Sequence, residues 1–263
     1  MRRSTIQSGK VYLVGAGPGD PGLLTLKARD LLVMADCVIY DYLVNPEILA
    51  HAPAHAELIY VGKRGSEISW TQQAINRLLI EKAGEHRVVV RLKGGDPFIF
   101  GRGGEEAEAL VAAGIEWEVV PGVSAGSAVA ACAGIPVTHR GLSSSVAFIT
   151  GHEDPSKPQS AIRWEHLATG VDTLVFFMGV ARIREITEQL QRHGRAAQTP
   201  VAVIRWGTYE DQEIYVSELA EVADLVERER VGAPAIIVIG EVVRLRERLQ
   251  WFAPQLITAA QAA

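Results

Sequence analysis

Residues 87–106 read RVVVRLKGGDPFIFGRGGEE, a short β-branched run that passes directly into a glycine-rich loop. The run at 88–90 is typical of a buried strand. Gly94 and Gly95 lack a Cβ atom, so the backbone there can take positive φ and approach a ligand closely. The Asp-Pro pair that begins at Asp96 favours a turn and leaves a carboxylate at the mouth of the loop. The stretch therefore predicts a strand that ends in a ligand-binding loop, although a sharp turn without a ligand would use similar residues.

A second glycine loop lies near the start of the chain, where the apolar run 11–14 is followed by GAGPGDP at 15–21. A dinucleotide site of the form G-x-G-x-x-G would need a small residue where this chain has Asp20. Pro18 also removes a backbone N–H from the turn, and a pyrophosphate would meet the Asp20 carboxylate. The loop is better suited to a positively charged cofactor, or to one held by carbonyl oxygens, than to a phosphate.

Strand and helix patterns alternate along the first half of the chain, which predicts a mostly parallel sheet covered by helices. The expected strands are 11–15, 37–41, 58–62, 88–92 and 117–120, and the expected helices are 22–35, 71–83, 103–113 and 124–134. Ligands bind such sheets at the carboxyl ends of their strands, and both glycine loops fall at such ends.

The pattern resumes after a polar stretch at 138–145, so we expect a boundary near residue 140. The second set of expected strands is 146–150, 173–178, 201–206, 213–216 and 235–240, with helices at 181–193 and 241–249. The sequence thus predicts an α/β protein with two lobes, 10–140 and 145–250. We expect a mostly parallel sheet in the first lobe, a mixed sheet in the second and a ligand-binding cleft between them.

Composition limits the possible classes of protein. The chain has 263 residues, of which 48% are hydrophobic and 22% charged, so it can form large buried cores. Its two cysteines, Cys37 and Cys132, lack the spacing of a zinc site and indicate a reducing compartment. The N-terminus lacks the apolar core of a signal peptide, and residues 119–138 are uncharged but too rich in Gly, Pro and Ala for a membrane helix. We therefore expect a cytoplasmic protein without a membrane partner.

Charge is distributed unevenly in this chain. The net charge is −5, which gives nucleic-acid binding little electrostatic support. Residues 61–102 nevertheless carry eight Lys or Arg against four Asp or Glu. Five of these cations follow predicted strands beside the glycine loops and form an expected basic rim for an anionic substrate; they are Lys63, Arg64, Arg91, Lys93 and Arg102.

Two candidate proton-transfer residues follow neighbouring strands. Asp41 ends the strand 37–41, and Lys63 follows the next one. An acid and an amine at adjacent strand ends could move protons on one substrate. The alternatives are a helix cap for Asp41 and a plain ion pair between the two residues.

Residues 122–126 spell G-x-S-x-G between a predicted strand and helix, the pattern of a hydrolase nucleophile elbow. That reading also needs an acid and a His at later strand ends, whereas Glu153, Asp154 and His166 lie in polar turn segments. A hydrolase would also leave both glycine loops without a function, so we do not expect a nucleophile elbow here.

Together these motifs resemble the uroporphyrinogen-III C-methyltransferase family, within the wider class of tetrapyrrole methylases. The similarity runs from about residue 10 to residue 251. The stretches that carry it are 14–21 (VGAGPGDP), 24–26 (LTL), 40–41 (YD), 61–64 (VGKR), 91–106 (RLKGGDPFIFGRGGEE), 120–122 (VPG) and 134–140 (GIPVTHR).

The resemblance implies a homodimeric, metal-independent enzyme that takes two methyl groups from S-adenosylmethionine, releasing S-adenosylhomocysteine. These methyl groups are placed on carbons 2 and 7 of uroporphyrinogen III, a small tetrapyrrole, to give precorrin-2. It makes Asp41 the proton acceptor and Lys63 the proton donor. The implied cofactor-binding residues are Pro18, Gly94, Gly95, Asp96, Ile99, Ser124, Ala125, Met178, Gly207 and Ala235.

The resemblance also gives the basic rim a substrate, because uroporphyrinogen carries eight carboxylates. We expect Arg64, Arg102 and Arg140 to bind these acidic arms. No part of the chain resembles the dehydrogenase and ferrochelatase portion of some relatives, so we expect methylation alone. The alternatives are another precorrin or tetrapyrrole methylase, a NAD-dependent oxidoreductase and a non-catalytic tetrapyrrole carrier.

Overall fold

A computed structural model describes residues 9–62, 70–152 and 160–252. The chain divides into two compact units, Met1–Ser124 and Ala125–Ala263. Each unit has its own sheet and its own hydrophobic core.

The first unit alternates strands and helices as its sequence predicts, and it also contains a short helix at Pro46–Leu49 that the sequence patterns do not predict. Its elements are β1 (Lys10–Gly15), α1 (Leu26–Val33), β2 (Cys37–Tyr40), α2 (Pro46–Leu49), β3 (Glu57–Tyr60), α3 (Gln72–Glu85), β4 (Val88–Lys93), α4 (Gly103–Ala112) and β5 (Trp117–Val120). The strand order is β3-β2-β4-β1-β5, and the described pairs are all parallel. Their carboxyl ends therefore share one edge, where the glycine loops begin.

Both faces of this sheet are buried, which explains why its strands are almost continuously apolar. Along β1, Val11 and Leu13 belong to the core cluster that includes residues of α3 and α4. Val14 belongs to the cluster on the other face, which includes Leu32 of α1. The helices thus hold the sheet between two apolar layers.

Side-chain caps set where the helices begin. The helix predicted at 22–35 is shorter, because Asp20 caps a 3₁₀ turn and Thr25 caps α1 by accepting a hydrogen bond from the backbone N–H of Ala28 at 3.2 Å. Thr71 caps α3 in the same way through the N–H of Ala74 at 3.1 Å.

The second unit contains the predicted mixed sheet. Its elements are α5 (Ala125–Cys132), β6 (Val146–Thr150), α6 (Trp164–Gly170), β7 (Thr173–Phe177), α7 (Ile183–Arg192), β8 (Pro200–Arg205), β9 (Glu213–Glu218), α8 (Val222–Arg228), β10 (Ala235–Ile239) and α9 (Arg246–Leu249). The strand order is β6-β7-β10-β8-β9. The β6–β7 pair is parallel, and the other described pairs are antiparallel.

Helix α5 belongs to the second unit, so the division falls at Ser124–Ala125, whereas the sequence predicts a boundary near residue 140. Val129 and Ala130 of this helix pack in a core cluster with Ile204 and Ile236 of the second sheet. The small residues of α5 allow this close packing. Within the described ranges, no helix is long and apolar enough to cross a membrane.

Candidate active site

The two predicted glycine loops join each other at the carboxyl edge of the first sheet. The backbone N–H of Gly95 donates to the carbonyl of Gly17 at 2.7 Å, and the N–H of Gly17 donates back to Gly95 at 3.2 Å. The N–H of Ala16 also donates to the carbonyl of Lys93 at 2.7 Å. The loops after β1 and β4 therefore form one backbone-paired platform.

A third loop, which follows β5, packs directly against this platform. A Cβ atom at Gly122 would lie 2.2 Å from the carbonyl oxygen of Gly95. A Cβ atom at Gly15 would lie 2.5 Å from the Cα of Gly122. Because real Cβ contacts are never this short, glycine is required where the three backbones meet. We call Gly15, Gly95 and Gly122 the glycine junction.

Asp96 ties two of these loops together. Its Oδ1 accepts a hydrogen bond from the N–H of Phe98 at 2.8 Å, and its Oδ2 accepts one from the N–H of Gly122 at 3.0 Å. The carboxylate that the sequence predicts at the loop mouth thus fixes the path of the β4 loop relative to the β5 loop.

The other candidate cofactor residues of the first unit belong to the same three loops. Pro18 and Ile99 are half-buried, and Ser124 is buried. Gly94 fits tightly, because a Cβ atom there would lie 2.5 Å from the Cβ of Leu43. The structure therefore groups the first-unit candidates at one edge of one sheet.

Asp41 lies at this edge beside a buried charge network that the sequence analysis did not anticipate. Its Oδ2 is 3.4 Å from Nη2 of Arg91, and its Oδ1 accepts from the N–H of Leu43 at 3.1 Å. The Nε of Arg91 donates to Oε1 of Glu106 at 3.1 Å, and Nζ of Lys93 donates to the same oxygen at 3.0 Å. The network therefore links β2, β4 and α4.

The prediction that Arg91 and Lys93 belong to a basic rim is wrong. Their residues are only 3% and 4% exposed, and Glu106 is fully buried between them. Burial lowers the pKa of Lys93, and the neighbouring Arg91 charge lowers this pKa further, while Glu106 opposes both effects. Successive side chains of a strand point to opposite faces of the sheet. A charged residue near a strand end can therefore still point into the interface between sheet and helices, which explains the error.

Arg102 remains exposed at the start of α4, with a left-handed φ of 58°. It forms a bidentate pair with Glu105, with both N–O distances at 2.7 Å. This hydrogen bonding lowers the pKa of the Glu105 carboxyl. Arg140 is exposed in a turn beyond α5. Lys63 and Arg64 lie outside the described residues.

The second unit gathers its candidate residues at one edge of its own sheet. The register pairs Ala235 with Arg205 and Ile236 with Phe177, so β10 begins where β7 and β8 end. Met178 and Gly207 follow those two ends. A Cβ atom at Gly126 would lie 2.7 Å from the Phe177 ring, which brings the start of α5, Ala125, to the same edge.

The backbone at this second edge is strained. Met178, Trp206 and Thr208 have φ values of 55°, 48° and 74°, which non-glycine residues rarely adopt. Such strain persists only where surrounding contacts enforce it, and it is concentrated at functional sites. The side chain of Met178 is also largely exposed at this position.

Gln212 supports this strained turn, and the sequence analysis missed it. Its Oε1 accepts a hydrogen bond from the N–H of Thr208 at 2.9 Å, and the residue is only 3% exposed. No local sequence pattern distinguishes Gln212 from the neighbouring polar residues of this turn, so the sequence carries no signal for its role.

Comparison with known proteins identifies the family. Residues 10–223 match the sequence pattern of the Tetrapyrrole (Corrin/Porphyrin) Methylases. The chain belongs to the tetrapyrrole methylase family. Within this family, it is 56% identical over 241 residues to the S-adenosyl-L-methionine-dependent uroporphyrinogen III methyltransferase of Methanosarcina barkeri, covering 92% of this chain and 94% of that relative.

Solved structures of tetrapyrrole methylases share its fold. The uroporphyrin-III C-methyltransferase of Thermus thermophilus complexed with S-adenyl homocysteine is 43% identical, with a TM-score of 0.78. That match covers 90% of this chain and 100% of the other. A cobalt precorrin-4 methyltransferase is 27% identical with a TM-score of 0.79, over 89% of this chain and 95% of the other. The similarity in fold is therefore equal, whereas the sequence is closer to the first.

Proposed function

We propose that this tetrapyrrole methylase transfers methyl groups from S-adenosylmethionine to carbons 2 and 7 of uroporphyrinogen III, giving precorrin-2. One observation carries the proposal: 56% identity over almost the full length of a relative named as an S-adenosyl-L-methionine-dependent uroporphyrinogen III methyltransferase. The choice of carbons 2 and 7, and of precorrin-2 as the product, follows from the family resemblance. Identity to a methylase of a later corrin intermediate is only 27%, which favours uroporphyrinogen III over such substrates.

The residues at the two edges fit the proposed cofactor. They offer backbone amide and carbonyl groups at the glycine loops, together with apolar side chains such as Ile99 and Met178. The nearby cations Arg91 and Lys93 are buried and already paired with Glu106, and Arg91 also lies beside Asp41, so both are poor phosphate ligands. This donor set suits a nucleoside with an amino-acid tail better than a dinucleotide, and so favours S-adenosylmethionine over NAD.

S-adenosylmethionine supplies an activated methyl group on a sulfonium. The residues of this chain then need mainly to align the pyrrole carbon for attack. For the cofactor we assign Pro18, Gly94, Gly95, Asp96, Ile99 and Ser124 from the first unit, and Ala125, Met178, Gly207 and Ala235 from the second.

Asp41 is the proposed proton acceptor. Methylation at a pyrrole carbon places positive charge on the ring nitrogen, and loss of a proton removes that charge. The Asp41 carboxylate is half-buried, and Arg91 and the Leu43 N–H hold its two oxygens. These contacts hold the carboxylate in a fixed orientation. We retain Lys63 as the proposed proton donor.

Exposed arginines are the proposed ligands for the carboxylate arms of the substrate. Arg102 is exposed and can exchange its partner Glu105 for a substrate carboxylate without entering the core. Arg140 is exposed as well, and Arg64 completes the proposed set. Arginine suits this task because its planar guanidinium binds carboxylates through two parallel hydrogen bonds.

We also infer a cytoplasmic homodimer. Three large apolar side chains on or next to α1, Leu26, Val33 and Met34, are more than half exposed, and such groups are common at subunit interfaces. Cys37 is a buried thiol without a disulfide, in keeping with a reducing compartment. Sedimentation equilibrium of the full chain tests the assembly; a mass equal to one chain at micromolar concentration would contradict it.

The activity is tested by incubating the protein with uroporphyrinogen III and methyl-labelled S-adenosylmethionine. Mass spectrometry should find a product carrying two labelled methyl groups, which becomes red-fluorescent after oxidation. Transfer only to a more highly methylated corrin precursor would support another methylase. Binding of the macrocycle without transfer would support a carrier, and tight binding of NAD would support an oxidoreductase.

A further inference from the structure

Three potential metal ligands meet at the opposite edge of the first sheet, away from the glycine loops. The Cys37 Sγ, a carboxylate oxygen of Glu57 and a ring nitrogen of His86 all lie within 4.8 Å of one another. The three residues are distant in sequence, so no short sequence motif predicts the cluster.

The parallel sheet brings them together. Cys37 and Glu57 are the first residues of β2 and β3 and are paired in register. His86 caps the end of α3 just before β4, which neighbours β2. Because parallel strands start at the same edge, all three side chains occupy the amino edge, whereas the proposed methyl-transfer residues follow the carboxyl ends.

We propose that Cys37, Glu57 and His86 form a binding site for a thiophilic divalent cation of the Zn²⁺ type. Thiolate, imidazole and carboxylate are the three donors that proteins use for zinc. Three protein ligands leave the fourth tetrahedral position for water. This site would be separate from the proposed methyl transfer and would not take part in it.

Zinc binding would require the ligand atoms to move by only about 1 Å or less, some of them closer together and His86 and Glu57 slightly apart. Tetrahedral zinc with bonds of ~2.0–2.3 Å places its ligand atoms roughly 3.3–3.8 Å apart. The Nε2 of His86 already lies 3.0 Å from Oε2 of Glu57, and the limit for all three ligand atoms is 4.8 Å. The side chains of His86 and Glu57 are 24% and 43% exposed, so a cation can enter from solvent, whereas Cys37 is fully buried behind them.

The surrounding charge favours a cation. Besides burial, the negative charges of Asp36, Glu57 and Glu85 raise the pKa of the Cys37 thiol, whereas the ammonium of Lys82 lowers this pKa. That ammonium lies 3.0 Å from Glu57 and 2.8 Å from Glu85. When a metal takes Glu57, Lys82 can keep Glu85 as its partner. Binding forms the metal–sulfur bond and releases the thiol proton to the buffer.

The test is a titration of the chelator-treated full chain with Co²⁺, followed by optical spectroscopy. We expect one Co²⁺ per chain with a sulfur-to-cobalt charge-transfer band, and displacement of the cobalt by Zn²⁺. Cys37→Ala should abolish the band, and His86→Gln should weaken binding by ~10-fold or more, as loss of metal-site partners commonly does. Cys132→Ala is the matched control and should leave the band unchanged.

Lys82→Gln gives a test in the opposite direction. This change removes the ammonium that competes for Glu57, so cobalt should bind more tightly than in the unmodified protein. His86→Gln and Lys82→Gln alter partly exposed surface side chains, and circular dichroism checks that each variant folds. Absence of a charge-transfer band in the folded unmodified protein, or a band that persists in folded Cys37→Ala, would overturn the proposal.

Discussion

At the scale of single residues, Glu106 is the buried counterion of two cations in the first unit. It is fully buried and accepts from both Arg91 and Lys93 through one oxygen. Its Oε2 is buried and has no hydrogen-bond partner among the described residues. A buried cation that loses its counterion is costly, because the low-dielectric interior cannot replace the missing charge.

We therefore expect Glu106→Gln to lower the free energy of unfolding by about 3 kcal/mol, as measured by urea denaturation. The control is Glu108→Gln, which alters an exposed residue of the same helix and should change stability by less than about 0.5 kcal/mol. Equal stability of the two variants would show that the buried network does not need the Glu106 charge.

Arg102 offers a residue-scale test of the proposed substrate site. Arg102→Ala should raise the KM for uroporphyrinogen by ~10-fold, because a charge-assisted hydrogen bond to a carboxylate arm is lost. The Kd for S-adenosylmethionine, from calorimetry, should stay unchanged. Arg77→Ala, which removes an exposed arginine from α3, serves as the control. Equal losses of substrate and cofactor binding would argue against the assigned role.

At the scale of elements, the glycine junction decides how the loops after β1, β4 and β5 fit together. Gly122→Ala would insert a Cβ atom 2.2 Å from the Gly95 carbonyl oxygen and force the loops apart. We expect a loss of about 1–3 kcal/mol in stability and at least a ~10-fold loss of methyl transfer. Gly104→Ala, at the exposed start of α4 where a Cβ meets nothing within 4 Å, should be tolerated.

The turn between β8 and β9 gives a second element-scale prediction. Oε1 of Gln212 accepts a hydrogen bond from the N–H of Thr208. This hydrogen bond stabilises the left-handed backbone conformation of Thr208, which non-glycine residues rarely adopt. Gln212→Ala should raise the KM for S-adenosylmethionine by ~10-fold with a smaller change in kcat, because a buried donor loses its acceptor. Gln212→Glu keeps an acceptor and should restore binding. Asp211→Ala, the exposed neighbour, should have no effect.

At the scale of the whole molecule, the two cysteines report on the two units separately. Cys37 belongs to the first unit and is fully buried, and burial raises the pKa of its thiol to about 12. The pKa lies far above pH 8, so the reactive thiolate is scarce in the folded protein. Cys132 belongs to the second unit and is only half-buried.

In metal-free protein at pH 8, a thiol reagent should modify Cys132 before Cys37. Modification of Cys37 should follow the urea unfolding transition of the first unit, as peptide mass spectrometry can establish. The variant Cys132→Ala isolates the signal of Cys37. Rapid labelling of Cys37 under native conditions would mean that the first sheet opens far more often than its packing implies.

The sequence predicts those parts of the fold that depend on local interactions, and it fails where contacts between distant residues decide the structure. Local patterns predict the strands, since the runs at 88–90 and 235–239 are apolar whichever neighbours they have. They miss α6 and α8, because a helix of seven residues has too few turns for its hydrophobic periodicity to be recognised. They also assign α5 to the first unit, because packing on one sheet or another leaves no trace in an alanine-rich helix.

In the candidate site, too, local sequence predicts some features, whereas others depend on tertiary packing. Glycines and strand ends predict the platform, whereas the pairing of Arg91 and Lys93 with Glu106 depends on how α4 lies on the sheet. The meeting of Cys37, Glu57 and His86 depends on strand order, which the sequence alone does not state. Family resemblance assigns roles to Asp41, Lys63 and the cofactor residues, and these assignments stay predictions.

The glycine junction also matters for anyone who would redesign this enzyme for other macrocycles. At the glycine junction the main chains touch without intervening side chains, so a substitution at position 15, 95 or 122 would disturb the packing of the loops. Combinatorial libraries that include these positions would therefore consist largely of inactive clones. Phe98 and Phe100 belong to the adjoining loop and are 52% and 40% exposed, so a library can vary these side chains while it keeps the glycine junction. Variation in this loop region is therefore best placed at the two aromatic positions, with the glycine junction kept fixed.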